Sequence, residues 1–92
     1  MVKKGIRHIV LDVLKPHQPS LPEFAEYICE LKEVNRADIS LIEMDERTDS
    51  LKVVIDGNSV NFENLKEHIS KIGAVIHSVD QVIVEEYPSR QQ

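Results

Sequence analysis

The chain is 92 residues long, enough for one domain that buries about two-thirds of its unfolded surface, so a core needs no disulfides. Its net charge of −5 argues against a nucleic-acid binder, because a phosphate-tracking surface needs a basic face. Two Phe and two Tyr, none of them in a basic strand, also fail the stacking pattern of an RNA-binding sheet.

The first element is an apolar-rich run from Ile6 to Leu14. Ile9, Leu11 and Val13 share one parity and suit a face packed under helices; His8, Val10, Asp12 and Leu14 share the other. Lys15-Pro16 ends the strand, because proline lacks the amide that a ladder requires. Ser20-Leu21-Pro22-Glu23 is a capping box, and Pro22 is tolerated where amides have no internal partner. Leu21, Phe24, Ala25, Ile28 and Leu31 then recur at helical spacing, with Glu26, Glu30 and Lys32 on the wet side. This helix is expected to end near Val34-Asn35. Cys29 falls within it beside Ile28 and reads as a buried thiol; alone, it forms neither a disulfide nor a metal clip.

The second strand is expected over Ile39 to Met44, followed by the polar hairpin loop Asp45 to Asp49. A third strand, Leu51 to Asp56, places Leu51, Val53 and Ile55 on the core side. Asp56-Gly57-Asn58 has the composition of a turn. Asn61 is the expected N-cap of a second helix from about Phe62 to Ile72, with Val60 stapling onto Leu65 and Gly73 closing the C-terminus. Phe62, Leu65, Ile69 and Ile72 form its apolar stripe. The last run, Val75 to Val84, does not alternate cleanly between His77 and Val82, which points to a bulge.

Strand, helix, strand written twice is the ferredoxin-like βαββαβ sandwich, an α+β fold with a four-stranded antiparallel sheet and both helices on one face. The domain is drawn over 1–87, with 88–92 as a flexible tail; the polar end from Glu85 is expected to fray. The opposite sheet face would carry Val10, Leu14, Ile42, Met44 and Val54. Monomers rarely expose such a patch, so a homo-oligomer that buries this face or an edge strand is expected. No apolar run approaches the ~18 residues that span a bilayer, and no cleavage site follows the basic start, so a cytoplasmic location is expected.

The fold pairs the first strand with the last, which draws Asp12, Lys15, His17, His77, Ser78 and Asp80 toward one end of the sheet. Two carboxylates with two imidazoles suit a divalent cation: calcium or magnesium if the carboxylates dominate, zinc if the imidazoles do. Lys15 and Ser78 would assist a bound small ligand. The competing structural reading has Asp12 pairing across strands, with His17 and His77 as hydrogen-bonding plugs. Glu43, Asp45, Glu46 and Asp49 form a second acidic cluster at the hairpin, which several copies in a ring could bring together around a cation. His8 and His68 read as surface residues. Enzymatic readings are poor: Ser78 and His77 are neighbours pointing to opposite faces, and no glycine-rich phosphate loop exists. The leading functional reading is therefore a non-enzymatic, homo-oligomeric metal- or small-ligand-binding module, for which regulation is one expected role. The alternative is a protein-interaction module that uses the open face or an edge strand.

The run from Ile6 to Pro19, containing Leu11-Asp12-Val13-Leu14-Lys15-Pro16-His17, and the run from Gly73 to Val82 together resemble an archaeal family known as domain of unknown function 211. Glu23-Phe24-Ala25 and Glu43-Met44-Asp45 add to the similarity, which covers nearly the whole chain. The resemblance implies a ferredoxin-like fold and a ring-like or otherwise multimeric assembly. It implies no activity. The chain departs from the family pattern at Val34-Asn35-Arg36-Ala37, which lacks a glycine, and in a longer tail; neither departure threatens the fold.

Overall fold

The computed structural model describes residues 2–88. Its elements are β1 (Val2–Pro16), α1 (Leu21–Ile28), β2 (Val34–Met44), β3 (Thr48–Val60), α2 (Phe62–Ser70) and β4 (Val75–Pro88). The strands form one antiparallel sheet in the order β2-β3-β1-β4. Ile9, Leu11 and Val13 of β1 and Leu51, Val53 and Ile55 of β3 join Phe24, Ile28, Leu65 and Ile69 of the helices in one buried cluster. Both helices therefore cover the same sheet face, as the ferredoxin-like α+β fold requires. Each fully buried Phe, Leu or Ile contributes about 1.5–3 kcal/mol before entropy is counted.

Local chemistry explains where the helices begin. The amide of Ser20 donates to Glu23 Oε1 at 3.0 Å, and the amide of Glu23 donates to Ser20 Oγ at 3.4 Å. The Ser20 amide first, and the Ser20 hydroxyl second, hold the Glu23 carboxyl below its ordinary value. Asn61 caps α2, its side-chain oxygen accepting from the amide of Asn64 at 3.0 Å. After α2, Gly73 takes a φ of +86°, a left-handed conformation that side chains disfavour.

Several boundaries differ from the sequence expectation. α1 stops at Ile28, not near Val34-Asn35. Its last turn tightens, with the amides of Glu30 and Leu31 bonding three residues back to Tyr27 and Ile28. The Glu33 carbonyl then accepts from the amide of Asn58, and Val34 is already paired with Gly57. Cys29 consequently lies at the helix end and is exposed, not buried. Asp56-Gly57-Asn58 is not a turn. β3 runs through it to Val60, with a register shift against β1 between Ile6 and His8. Glycine is needed at 57 because an added Cβ would collide with the Glu33 carbonyl.

The strands are also longer than expected. A 15-residue strand spans about 50 Å, matching the molecule's 51 Å longest extent, whereas helices of eight and nine residues reach only about 12–14 Å. The sheet thus runs past its helices. β4 continues to Pro88, with Glu85–Pro88 paired to Val2–Gly5, so the expected fraying from Glu85 does not occur up to that point. The rest of the expected tail, 89–92, lies outside the described residues. Among the described residues no helix is long and apolar enough to cross a membrane.

Candidate functional site

Two polar clusters lie near the hairpin end of the sheet, on opposite faces. The first faces the helices. Lys15 opposes Asp49 across β1 and β3, and both have the parity of the core residues. Lys15 is only 1% exposed. Its Nζ donates toward the carbonyls of Pro16 at 2.8 Å, His17 at 3.2 Å and Pro19 at 2.5 Å, and to Asp49 Oδ2 at 3.2 Å. A buried ammonium is tolerated only when so enclosed. The other carboxylate oxygen of Asp49 lies 2.9 Å from His17 Nδ1, and His17 Nε2 lies 2.8 Å from the Glu46 carbonyl. Burial pushes the Asp49 carboxyl up, but the hydrogen bonds and charges of His17 and Lys15 outweigh it and hold the group below its ordinary value. The Glu46 carbonyl, and after it the Asp49 carboxylate, raises His17 above 6.5 despite the opposing charge of Lys15.

The second cluster lies on the open face. Strand register sets Ser40, Lys52, Asp12 and Ser78 in one line across all four strands. A shallow depression of about 260 Å³ is lined by Leu11, Asp12, Ile42, Leu51, Lys52 and Asp80. Ser78 Oγ donates to Asp80 Oδ1 at 2.8 Å. Asp80 and His77 are the extra residues of two register shifts in β4, between Val10 and Leu11 and between Asp12 and Val13 of the partner strand. The bulge expected from the broken alternation is therefore double. Bulges re-aim side chains, which explains how Asp80 reaches the depression beside Asp12.

The expected single constellation is divided. Asp12, Ser78 and Asp80 meet on the open face, while Lys15 and His17 turn to Asp49 on the other side. His77 is exposed on the edge strand, and Glu43 and Asp45 are exposed at the hairpin. Among the described residues no three His, Cys, Asp or Glu side chains gather as a metal-holding group. The division follows from alternation: Lys15 has odd parity and Asp12 even, so one strand sends them to opposite faces. Lys15, with four oxygen partners, has no donor left over for a ligand.

Two histidines expected at the surface have partners. His8 Nδ1 lies 2.6 Å from Asp56 Oδ1, and Arg36 reaches the other oxygen of Asp56 at 3.5 Å. The His8 hydrogen bond leads in holding Asp56 below the ordinary carboxylate range. His68 stacks on Tyr27, with ring centroids 3.8 Å apart and planes within 5°. Its Nε2 is 2.7 Å from the Tyr27 carbonyl, while the Tyr27 hydroxyl donates to the His68 carbonyl at 2.5 Å. This reciprocal pair ties α1 to α2. Asp56, Lys52 and Arg36 are not legible as cluster members, and Asp49, expected in the acidic hairpin cluster, instead joins Lys15 and His17. The signal for Asp49 is its parity, which it shares with Leu51 and, across the sheet, with Lys15.

The open face is less apolar than expected. Polar rows cross it, Val10 is buried, Leu14 and Val54 are half-buried, and Ile42 is exposed at 65%. Met44, expected there too, is 61% exposed but pairs with Asp49, because a register shift between Leu41 and Glu43 turns it to the helix side. The larger apolar exposure lies on the edge strand β4, where Val75, Val79, Val82, Ile83 and Val84 are all exposed.

Residues 7–88 match the family model described as Uncharacterized ArCR, DUF211. The chain is also similar to "Uncharacterized protein MJ0319" of Methanocaldococcus jannaschii, 40% identical over 79 residues, which cover 86% of this chain and 81% of that relative.

Proposed function

We propose that this chain, which belongs to the archaeal DUF211 family, is a non-enzymatic module that self-associates and takes a small ligand or divalent cation on the open face of its sheet. The observation that carries the reading is β4, an edge strand with exposed apolar side chains on both faces: Val79 and Val82 oppose Leu11 and Ile9, while Ile83 opposes His8. Natural edge strands are commonly blunted by charge, proline or cover; one this greasy favours contact with another chain. Homo-oligomers are the commonest way to bury such a surface.

The Asp12–Asp80 depression supports the ligand half of the reading. With His17 and His77 elsewhere, its donors are oxygens: two carboxylates and the Ser78 hydroxyl. Oxygen donors suit calcium or magnesium over zinc. Calcium takes six to eight oxygens, so a second copy or water would supply the remainder. Sedimentation velocity at micromolar concentration, with added calcium, with magnesium and with chelator, tests both halves. The expected result is an oligomer that tightens with one of the cations, an effect lost in Asp12→Asn and Asp80→Asn. A single subunit in every condition, with no calorimetric heat for any cation, removes the reading.

A protein-interaction module is the second reading, favoured by the same edge, since a strand from another protein would add to β4 through main-chain hydrogen bonds. Recovery of one stoichiometric foreign partner from a source lysate, competed by a peptide copying β4, would favour it over self-association.

A further inference from the structure

We propose that His17 is a pH-operated clasp, which holds the tip of the β2–β3 hairpin against the loop leaving β1 while its ring is an imidazolium and lets go when that ring loses a proton. Both ring nitrogens lie within hydrogen-bond distance of oxygens, Nδ1 2.9 Å from Asp49 Oδ1 and Nε2 2.8 Å from the Glu46 carbonyl. A carbonyl cannot donate. Asp49 cannot either, because Lys15 bonds its other oxygen and keeps it ionised. Both ring nitrogens must therefore carry hydrogen, and only the imidazolium does so. Each neutral tautomer would aim one lone pair at an oxygen lone pair, and one of the two bonds would break.

The two bonds reach different elements. The one to Asp49 joins the loop to β3, and the one to Glu46 joins it to the hairpin tip, 29 residues further along the chain. Beyond the clasp, the tip is closed by the amide of Asp45 donating to the Thr48 carbonyl at 2.8 Å. The charged groups around His17 are Lys15 from β1 and Asp49 from β3; Glu23 of α1 feels the Lys15 charge but does not act on His17. Lys15 opposes the imidazolium, whereas Asp49 and the Glu46 carbonyl favour it.

The pH window follows from the directions. His17 is raised, so its contribution is complete below the ordinary 6.5 and is lost as pH rises through the raised value. Asp49 is lowered, so its contribution is present above 3.8 and is lost as pH falls through the lowered value. The clasp is closed between these limits. It sets the position of the hairpin that carries the exposed Ile42 and Met44. It stands independently of the ligand and assembly readings.

Nitrogen-15 NMR of the full chain with labelled histidine tests the device. In the closed state both ring nitrogens of His17 are expected at protonated shifts, with a midpoint above 6.5. The backbone amides of Glu46 and Arg47 should move with that same midpoint. Each pH unit by which the midpoint exceeds 6.5 corresponds to a tenfold change in clasp closure. In His17→Gln, the Glu46 and Arg47 amides should lose this transition. A His17 midpoint at or below 6.5 would overturn the proposal. So would hairpin amides that ignore His17, or that titrate unchanged in His17→Gln. The wild-type titration decides the matter even if the variant folds poorly.

Discussion

The two polar clusters near the hairpin use similar parts and end in opposite states. Lys15, His17 and Asp49 face the helices, and every polar atom of the Lys15 ammonium and the Asp49 carboxylate is engaged. Asp12, Lys52 and Asp80 face away from the helices around a shallow depression, where Ser78 bonds Asp80. Burial makes the difference: a charge taken out of water must be matched there and then, whereas water serves one left on an open face. The closed cluster is thus read as architecture, and the open one is the candidate for a guest.

Substitutions can break that contrast. Lys15→Ala strips one carboxylate and three carbonyls of their shared donor, and breaking such a buried pair costs roughly 3–5 kcal/mol in chemical denaturation. An equal loss in Asp12→Asn would erase the distinction between the clusters. Ser20→Ala, which removes the cap that starts α1 just beyond the Lys15 loop, is expected to cost about 1 kcal/mol. His17→Gln should leave acid and alkaline stabilities closer together than in the parent chain, read from denaturant midpoints on either side of the His17 transition. Asp12→Asn should change unfolding by less than about 0.5 kcal/mol, as expected for an open site, while abolishing any cation-dependent change in sedimentation.

Much of the fold was legible because local and global signals agree. The Ser20 capping box, the Asn61 cap and the odd parity of Ile9, Leu11, Val13, Leu51, Val53 and Ile55 all point to the same two-layer sandwich. The misreadings have tertiary causes. Gly57-Asn58 has the composition of a turn, but a bulge uses the same residues, and it is the Glu33 carbonyl pressing on Gly57 that selects the bulge. α1 ends early because Asn58, 25 residues beyond Glu33, claims the Glu33 carbonyl.

The candidate site was legible in part for the same kind of reason. Pairing β1 with β4 correctly brought Asp12 toward Ser78 and Asp80. β1 has a second neighbour, however, and β3 supplies Asp49 to Lys15 and His17. A lysine and an aspartate that both have core parity on adjacent strands are obliged to meet. The exposed valines of β4 were hidden by a different effect. Val79 and Val82 oppose the core residues Leu11 and Ile9, but only because a bulge separates them, and they sit on an edge strand that two short helices only partly cover.

The cage around Lys15 has a chemical corollary. Amine-acylating reagents need a free electron pair on nitrogen and room to approach, and this ammonium offers neither while the Pro16–Pro19 loop encloses it. Mass spectrometry after brief labelling should find Lys32, Lys52, Lys66 and Lys71 modified and Lys15 spared. Slow labelling of Lys15 would then report how often the loop and the strand beneath it come apart.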